Sequence, residues 1–175
     1  FGKNEKGELK DRQIYYFNEV GDVSEYEKDG EYSLYYKYDK GNVEIHKYNN
    51  YGTLEICTAN KCDENGRVLE SAEYDGEGAL QSMTFNEYDE VGNNINLVEY
   101  NSAGNVSTLC CREYNEHGDL TSLKLYDSNE SLLVSIEQSF TYDSAGNITE
   151  CLISSGSVND YYVCNYDANG NLVVR

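Results

Sequence analysis

One seven-residue phrase recurs along this chain, and it constrains the fold more than any other feature. The phrase is an aromatic residue, Asp or Asn, two variable residues, Gly, one further residue and an aliphatic residue, as in Tyr166–Leu172. The Asx residue opens a type I turn, and the Gly takes the positive φ that closes it with a G1 bulge, which predicts a three-residue hairpin loop. The aromatic and aliphatic residues are then opposed across the two strands. Each phrase therefore predicts a turn and a strand register.

The copies follow a regular spacing. Ten of them begin with an aromatic residue or Cys four positions before a Gly, at Phe17, Tyr26, Tyr48, Cys62, Tyr74, Tyr88, Tyr100, Tyr114, Tyr142 and Tyr166. Two degenerate copies begin at Tyr38, where Gly41 comes one residue early, and at Tyr126, where Glu130 replaces the Gly. From position 48 to position 126 the intervals alternate between 14 and 12, a two-strand unit of 26 residues. This periodicity predicts a repeat architecture built from hairpins.

The phrase aromatic-Asp/Asn-x-x-Gly-Asn/Asp-aliphatic resembles the YD repeats of bacterial Rhs and related wall-associated proteins, and the likeness covers nearly the whole chain. The resemblance implies a β fold, a bacterial origin and, in the better-known members, a shell coiled around toxin cargo. Those members have repeats of about twenty residues, often with Arg after the Gly. Here Asn, Asp or Glu mostly stand in place of that Arg, and the sequence contains no toxin or protease module. The resemblance therefore supports a β fold and a bacterial origin better than a toxin role.

Composition sets the class of protein. The chain has 175 residues and no compositional break, which predicts a single repeat domain over residues 1–175. Its formal charge of −19 argues against nucleic acid and anionic membrane surfaces as partners. No apolar run is long enough to insert into a membrane and no signal peptide is present, so we expect a soluble chain, and the start at Phe1 favours a mature fragment.

The phrase and its spacing place the strands. An irregular N-terminal stretch, residues 1–38, is expected to form one or two capping hairpins, and the segment Ser154–Ser157 a shorter hairpin. The remaining strands are predicted at 43–48, 54–62, 68–74, 80–88, 94–100, 106–114, 120–126, 132–142, 148–153, 158–166 and 172–175. No window has a helical apolar period, so no helix longer than a turn is expected. The fold class predicted is all-β, a long antiparallel hairpin meander of about 13–14 strands.

Parity along the strands indicates which face is the core. Mid-strand residues with odd numbers are mostly apolar, and those with even numbers, such as Asn96, are polar. The hairpin registers then predict one apolar ladder, in the order Leu69, Phe85, Leu97, Leu109, Leu125 and Leu133. Such a stripe needs cover, so the meander is expected to coil as an open barrel or superhelical shell. A homodimer through the apolar sheet face is the alternative.

The six Cys residues have no spacing that indicates a metal site or a disulfide framework. The predicted registers place Cys57 opposite Glu73, Cys110 opposite Lys124, and Cys111 between Ile95 and Leu123. We therefore expect free, buried thiols that act as small apolar side chains. Free thiols are unusual outside the cytoplasm, although an anaerobe could keep them reduced.

No catalytic or metal-binding motif is found. Loops such as Asp63–Gly66 resemble the opening of a calcium loop but lack its later ligands, so turn chemistry explains them. His46 and His117 are isolated in the sequence and are expected to be solvated loop residues. Carboxylate pairs for glycoside hydrolysis would require a cleft that the sequence does not indicate. No metal ion and no cofactor is predicted.

Exposed tyrosines are the remaining binding candidates. Most Tyr residues occupy the phrase position and are expected to pack the hairpin ends, whereas Tyr35, Tyr36, Tyr161 and Tyr162 lie outside it and are available to bind a protein or a glycan. We therefore expect a non-enzymatic scaffold or adhesion module of a bacterial cell-surface or secreted protein. The alternatives are a carbohydrate-binding or carbohydrate-active domain that uses exposed Tyr and carboxylates, and a shell fragment of an Rhs-type toxin.

Overall fold

A computed structural model describes residues 13–28, 31–167 and 170–173, and all regular structure in these residues is β-strand. The strands are β1 (Gln13–Phe17), β2 (Val23–Lys28), β3 (Tyr32–Asp39), β4 (Asn42–Asn49), β5 (Leu54–Cys62), β6 (Val68–Asp75), β7 (Leu80–Tyr88), β8 (Asn94–Asn101), β9 (Val106–Tyr114), β10 (Leu120–Asp127), β11 (Leu132–Tyr142), β12 (Ile148–Ser155), β13 (Val158–Val163), β14 (Asn165–Tyr166) and β15 (Leu172–Val173). The all-β prediction is confirmed. The strands predicted at 54–62, 80–88, 106–114 and 132–142 have those bounds, and most of the others differ by one or two residues.

The topology is an antiparallel meander. Strands β1 to β13 form one sheet in chain order, with β1 and β13 as its edges, and β14 and β15 form a separate hairpin. The strand predicted at 158–166 is thus interrupted at Cys164. The chain divides into two compact units, residues 1–85 with 100–105 and residues 86–99 with 106–175. The single repeat domain over residues 1–175 stays a prediction, and residues 1–12 of the N-terminal stretch lie outside the described residues.

The predicted three-residue loop is confirmed in the turns. In the turn at Asp75, the backbone N–H of Gly78 donates to the Asp75 carbonyl (3.0 Å), and the Asp75 N–H donates to the carbonyl of Ala79 (3.0 Å). Gly78 has a φ of 85°, in the left-handed region that favours glycine. The Asp75 carboxylate accepts the N–H groups of Glu77 (3.0 Å) and Ala79 (2.9 Å). The Asx side chain therefore satisfies backbone donors that the turn leaves without a strand partner.

The irregular turns also connect antiparallel strands, but different residues take the positive φ angles. After Tyr38 the loop has two residues, Lys40 (φ 48°) and Gly41 (φ 85°), as in a type I′ turn. In the copy that lacks Gly, Glu130 itself takes a φ of 61°. The predicted short hairpin is also present, since Ser155 is opposite Val158 across a two-residue turn.

The mid-strand register differs from the prediction by one residue. Tyr74 is opposite Leu80 as predicted, but the next pair joins Glu73 to Ser82, so Gln81 is an extra residue on β7. The extra residue forms a β-bulge, which shifts the pairing and reverses the parity of the strand beyond it. The same shift follows the turns after Phe17, Tyr48, Cys62, Tyr114, Tyr126 and Tyr142.

The predicted apolar ladder is therefore wrong. Phe85 is opposite Glu70, not Leu69, and its side chain is 38% exposed. Leu125 is opposite Cys110 and Val134, so its predicted partners Leu109 and Leu133 are both displaced. Leu133 occupies a bulge position and is 59% exposed. The alternative of a homodimer rested on this ladder as its interface, and the observed register does not form the ladder.

The core that replaces the ladder is thin. In the first unit Ala72 is buried between Ala59 and Met83, the residues opposite it on β5 and β7. Tyr26 is also buried there, with its ring against Tyr15 and Tyr32. In the described part of the second unit the buried residues are Cys110 and Ser122. The four residues buried among those that the structure describes all have even numbers, in contrast to the odd-numbered core that parity predicted.

Four tyrosine hydroxyls connect one phrase turn to the previous turn at the same end of the strands. The bonds run from Tyr38 to the Val23 carbonyl (2.9 Å), from Tyr114 to the Asn94 carbonyl (3.2 Å), from Tyr142 to the Asp119 carboxylate (2.6 Å) and from Tyr166 to the Ile148 carbonyl (2.9 Å). These bonds agree with the expectation that phrase tyrosines pack the hairpin ends.

Candidate functional site

The described part of the first unit contains a groove of about 520 Å³ that includes one of the predicted binding tyrosines. We call it the Tyr35 groove. Its lining residues come from β2, β3, β4 and the turns that follow β2 and β4, namely Glu27, Lys28, Glu31, Tyr32, Ser33, Tyr35, Tyr48, Asn49, Asn50 and Gly52. The volume lies within the range of about 300–1,000 Å³ found for small-ligand sites.

Strand register explains why a groove forms here. Ser33 on β3 is opposite Glu27 on β2 and Tyr48 on β4. Residues opposed across neighbouring strands share a face of the sheet, so a short Ser side chain lies between two long ones. Ser33 thus forms the floor of the Tyr35 groove, and Glu27 and Tyr48 form its two walls.

An aromatic pair closes one side of the groove. The rings of Tyr35 and Tyr48 meet edge to face, with centroids 5.4 Å apart and an interplanar angle of 88°. A hydrogen bond to the Glu25 carboxylate, together with burial, raises the pKa of the Tyr35 hydroxyl. Tyr35 is still 43% exposed. The pair therefore presents an aromatic surface to the groove with one hydroxyl fixed by a carboxylate.

Several charged groups at the groove have partners. Lys28 Nζ is 2.7 Å from Glu31 Oε2, and Lys47 Nζ lies 5.4 Å from the centroid of the Tyr32 ring. Lys47 also pairs with Glu55 at 3.4 Å. Glu27 is half-buried, and no hydrogen bond or ion pair joins it to another residue in the described part of the chain.

A second polar cluster lies on the same face of β3, β4 and β5. Tyr35 is opposite His46, and His46 is opposite Cys57. Glu44 Oε2 is 3.0 Å from Lys37 Nζ and 3.4 Å from His46 Nε2, and the bond from Lys37 holds the pKa of this carboxyl below its usual range. Burial raises the pKa of the Cys57 thiol. His46 therefore lies within β4, half-buried beside the Lys37–Glu44 ion pair, and the prediction of a solvated loop residue is wrong for it. Cys57 is not an activated nucleophile.

The four predicted binding tyrosines are not brought together. Tyr35 lines the groove, whereas Tyr36 is opposite Ile45 and projects from the other face of β3. In the second unit Tyr161 and Tyr162 lie on edge strand β13, opposite Leu152 and Cys151, and both are exposed. Their role as ligand-binding residues stays a prediction.

The second unit has a cluster around Tyr142 that sequence reasoning missed. The Tyr142 hydroxyl donates to Asp119 Oδ2 (2.6 Å) and accepts from Asn115 Nδ2 (2.6 Å). His117 is exposed in its turn, as expected, and its ring also stacks on the Tyr142 ring, with centroids 3.9 Å apart. Burial and the bond to Asp119 raise the pKa of Tyr142, which keeps it a neutral donor. The repeat interval is the signal that could have found this contact, because it places the two turns two strands apart.

The thiols are free, as predicted, but only Cys110 is buried. The predicted cross-strand partners are wrong, since Cys57 is opposite Tyr74, Cys110 is opposite Leu125, and Cys111 is opposite Lys124. The bulges that displace the apolar ladder account for all three differences.

The described residues contain no candidate metal site. They include no group of three or more His, Cys, Asp or Glu side chains that is suited to a metal ion. In the loop that resembles a calcium site, Asp63 accepts the backbone N–H groups of Asn65 (2.9 Å) and Arg67 (2.8 Å) and the Arg67 side chain (2.6 Å). The Asp63 carboxylate therefore already accepts hydrogen bonds from its own turn and from the Arg67 side chain.

Among the described residues there is no helix that could span a membrane.

Comparisons with known proteins give low similarity. No protein-family model matches the sequence, and no curated protein matches it. A porin-like protein from Bacteroides uniformis ATCC 8492 is 12% identical with a TM-score of 0.46, over 92% of this chain and 86% of that one. TcdB2-TccC3 without its hypervariable C-terminal region is 17% identical with a TM-score of 0.40, over 99% of this chain and 11% of that one.

A third solved structure, TcdB2-TccC3-Cdc42, is 13% identical with a TM-score of 0.33, over 95% of this chain and 12% of that one. This chain thus spans a small part of the TcdB2-TccC3 chains. With TM-scores below one half, these likenesses add no argument about fold or function. The resemblance to YD repeats rests on the repeated phrase itself.

Proposed function

We propose that this chain is a non-enzymatic β-repeat module that serves as a scaffold or binding module in a bacterial cell-surface or secreted protein. The thin core carries the proposal. No large side chain is fully buried among the described residues, while large apolar residues such as Phe17, Val158 and Tyr161 are more than half exposed. Val158, Tyr161, Tyr162 and Val163 all lie on edge strand β13, and exposed apolar side chains grouped in this way favour contact with other protein.

The state of the polar groups supports binding over catalysis. Glycoside hydrolysis takes two carboxyl groups, one of them able to act as an acid. The two carboxylates on the lining of the Tyr35 groove are Glu27 and Glu31, and Glu31 forms an ion pair with Lys28 (2.7 Å). Glu27 therefore has no second unpaired carboxylate beside it on the lining. Burial also raises the pKa of Cys57 and Cys151, which disfavours the reactive thiolate.

Two alternative functions are each favoured by a specific observation. Exposed Tyr35 and the carboxylates of the same groove favour a carbohydrate-binding or carbohydrate-active domain, because Tyr rings stack on sugar rings. The shell fragment of an Rhs-type toxin rests on the repeated phrase.

Turnover and location together test the proposal. The full chain is incubated with a panel of chromogenic glycosides and general esterase and phosphatase substrates, and we expect no product above a buffer control. Intact producing cells are then treated with protease, and we expect the chain to be digested without cell lysis. Turnover that purifies with the chain and is lost in Glu27→Gln would establish the enzyme alternative. Digestion only after lysis would refute the surface location.

A further inference from the structure

We propose that the Tyr35 groove binds an organic cation, namely the ammonium group of a lysine side chain presented by a partner protein. The inference rests on the proposed function as a binding module and adds the chemistry of the partner. It starts from the one lining carboxylate, Glu27, that has no hydrogen bond or ion pair with the rest of the described chain.

Glu27 favours a cation because of where it lies. Its side chain is half-buried and forms a wall of the groove above Ser33, with the Tyr48 ring across the floor. A carboxylate that is partly removed from water gains from a cation that enters the same space. A neutral ligand would leave this charge uncompensated, and an anion would be repelled.

The aromatic wall suits the same ligand. A Tyr ring attracts an ammonium group through its negative face, within about 6 Å of the centroid. The unit already contains one such contact, because Lys47 Nζ lies 5.4 Å from the centroid of Tyr32, another groove residue. Tyr35 and Tyr48 offer two further rings beside Glu27, and their edge-to-face contact holds both in place.

Charge on the wider molecule acts in the same direction. The chain carries a formal charge of −19, which attracts basic partners over distances of about a Debye length. Lys28, the cation on the groove lining, forms its ion pair with Glu31 at 2.7 Å. The groove thus keeps a negative wall next to an aromatic one.

The test uses the full chain and N-acetyl-lysine methylamide as the probe. Tyr ring resonances are followed by NMR during titration, with N-acetyl-norleucine methylamide as a neutral isostere and a neutral disaccharide as a third ligand. We expect the lysine probe to bind in the millimolar range, to shift Tyr35 and Tyr48, and to weaken as salt is added. Equal binding of the isostere, or binding of the disaccharide alone, would overturn the proposal.

Two variants locate the site. Glu27→Gln should weaken lysine binding at least tenfold, whereas Glu64→Gln makes the same charge change in an exposed turn and should leave it unchanged. Ser33→Leu fills the floor and should abolish binding, with Ser139→Leu on β11 as the matched control. Circular dichroism and urea midpoints confirm that each variant folds. Equal losses in Glu27→Gln and Glu64→Gln would show diffuse attraction and refute the site. Neither result touches the turnover and location tests, so the two proposals fail separately.

Discussion

Two turns of this chain have the same hydrogen bonds but different residues at the critical position. In the turn at Asn101, the N–H of Gly104 donates to the Asn101 carbonyl (2.9 Å), and Gly104 has a φ of 77°. In the turn at Asp127, the N–H of Glu130 donates to the Asp127 carbonyl (3.0 Å), and Glu130 has a φ of 61°. A left-handed backbone costs a side chain with a Cβ about 1–2 kcal/mol, and glycine avoids this cost.

The comparison shows that the strands help to hold the turn. Tyr126 remains opposite Leu132 beyond the Glu130 turn, as Tyr74 is opposite Leu80 beyond a Gly turn. The Asx side chain is also retained, since Asp127 Oδ1 accepts the N–H groups of Asn129 (2.8 Å) and Ser131 (2.9 Å). Glycine therefore lowers the cost of the turn, while the flanking pairs and the Asx side chain specify it.

The largest effect is expected from placing a β-branched residue in the Gly turn. Gly104→Val should lower the free energy of unfolding by about 1–3 kcal/mol, because valine is strained at positive φ. A Cβ at Gly104 would meet no heavy atom within 4 Å, so the loss reports backbone strain and not a clash. Urea titration measures it. Ala103→Val in the same turn is the control, and equal midpoints for the two variants would refute the assigned conformation.

The reverse change should relieve the strained turn. Glu130→Gly is expected to raise the free energy of unfolding by about 0.5–1 kcal/mol, since the relief of strain exceeds the extra chain entropy of glycine. Thermal and urea unfolding both report the gain. The matched change Glu64→Gly, in a turn where Gly66 already takes the positive φ, should be neutral or destabilising. A loss of stability in Glu130→Gly would mean that the Glu side chain contributes more than its backbone costs.

The two turns should also differ in acid. Backbone hydrogen bonds from Ser131 and Asn129 lower the pKa of Asp127 below its usual value, whereas the Asn101 side chain does not titrate. A lowered pKa contributes stability above the unfolded value of about 3.9, and this contribution is lost as pH falls through the folded pKa. Asp127→Asn should therefore reduce the loss of stability between about pH 5 and about pH 2, and Asn101→Asp should increase it. Guanidinium midpoints across that range decide the point, and parallel curves would contradict it.

Turns and strand bounds could be predicted because their signals are local. The Asx residue, the Gly and the aliphatic residue act within a few positions of each other, and the phrase carries all three. The bulge that follows the turn has no such signal, since its extra residues, Ser24, Glu55, Leu69, Gln81, Thr121, Leu133 and Thr149, share neither size nor polarity. Each bulge then shifted by one residue the mid-strand pairs predicted beyond its turn.

The Tyr35 groove could be predicted only in part. Tyr35 was singled out because it lies outside the phrase, which is a local observation. Its neighbours in the groove depend on the pairings of Ser33 with Glu27 and with Tyr48, each set by strand register. Sequence position alone gives no indication that a short side chain separates those two long ones.

The smallest expected effect tests the bulge itself. Leu133 follows the Glu130 turn at the position that polar Ser107 holds after the Gly104 turn, and it is 59% exposed at its bulge. Leu133→Ser should therefore change the free energy of unfolding by no more than about 0.5 kcal/mol, as is usual for surface positions. Leu125→Ala is the comparator, because Leu125 pairs with buried Cys110, and it should cost about 2 kcal/mol or more. Comparable losses at the two positions, measured as urea midpoints, would restore the register in which Leu133 belongs to a continuous core.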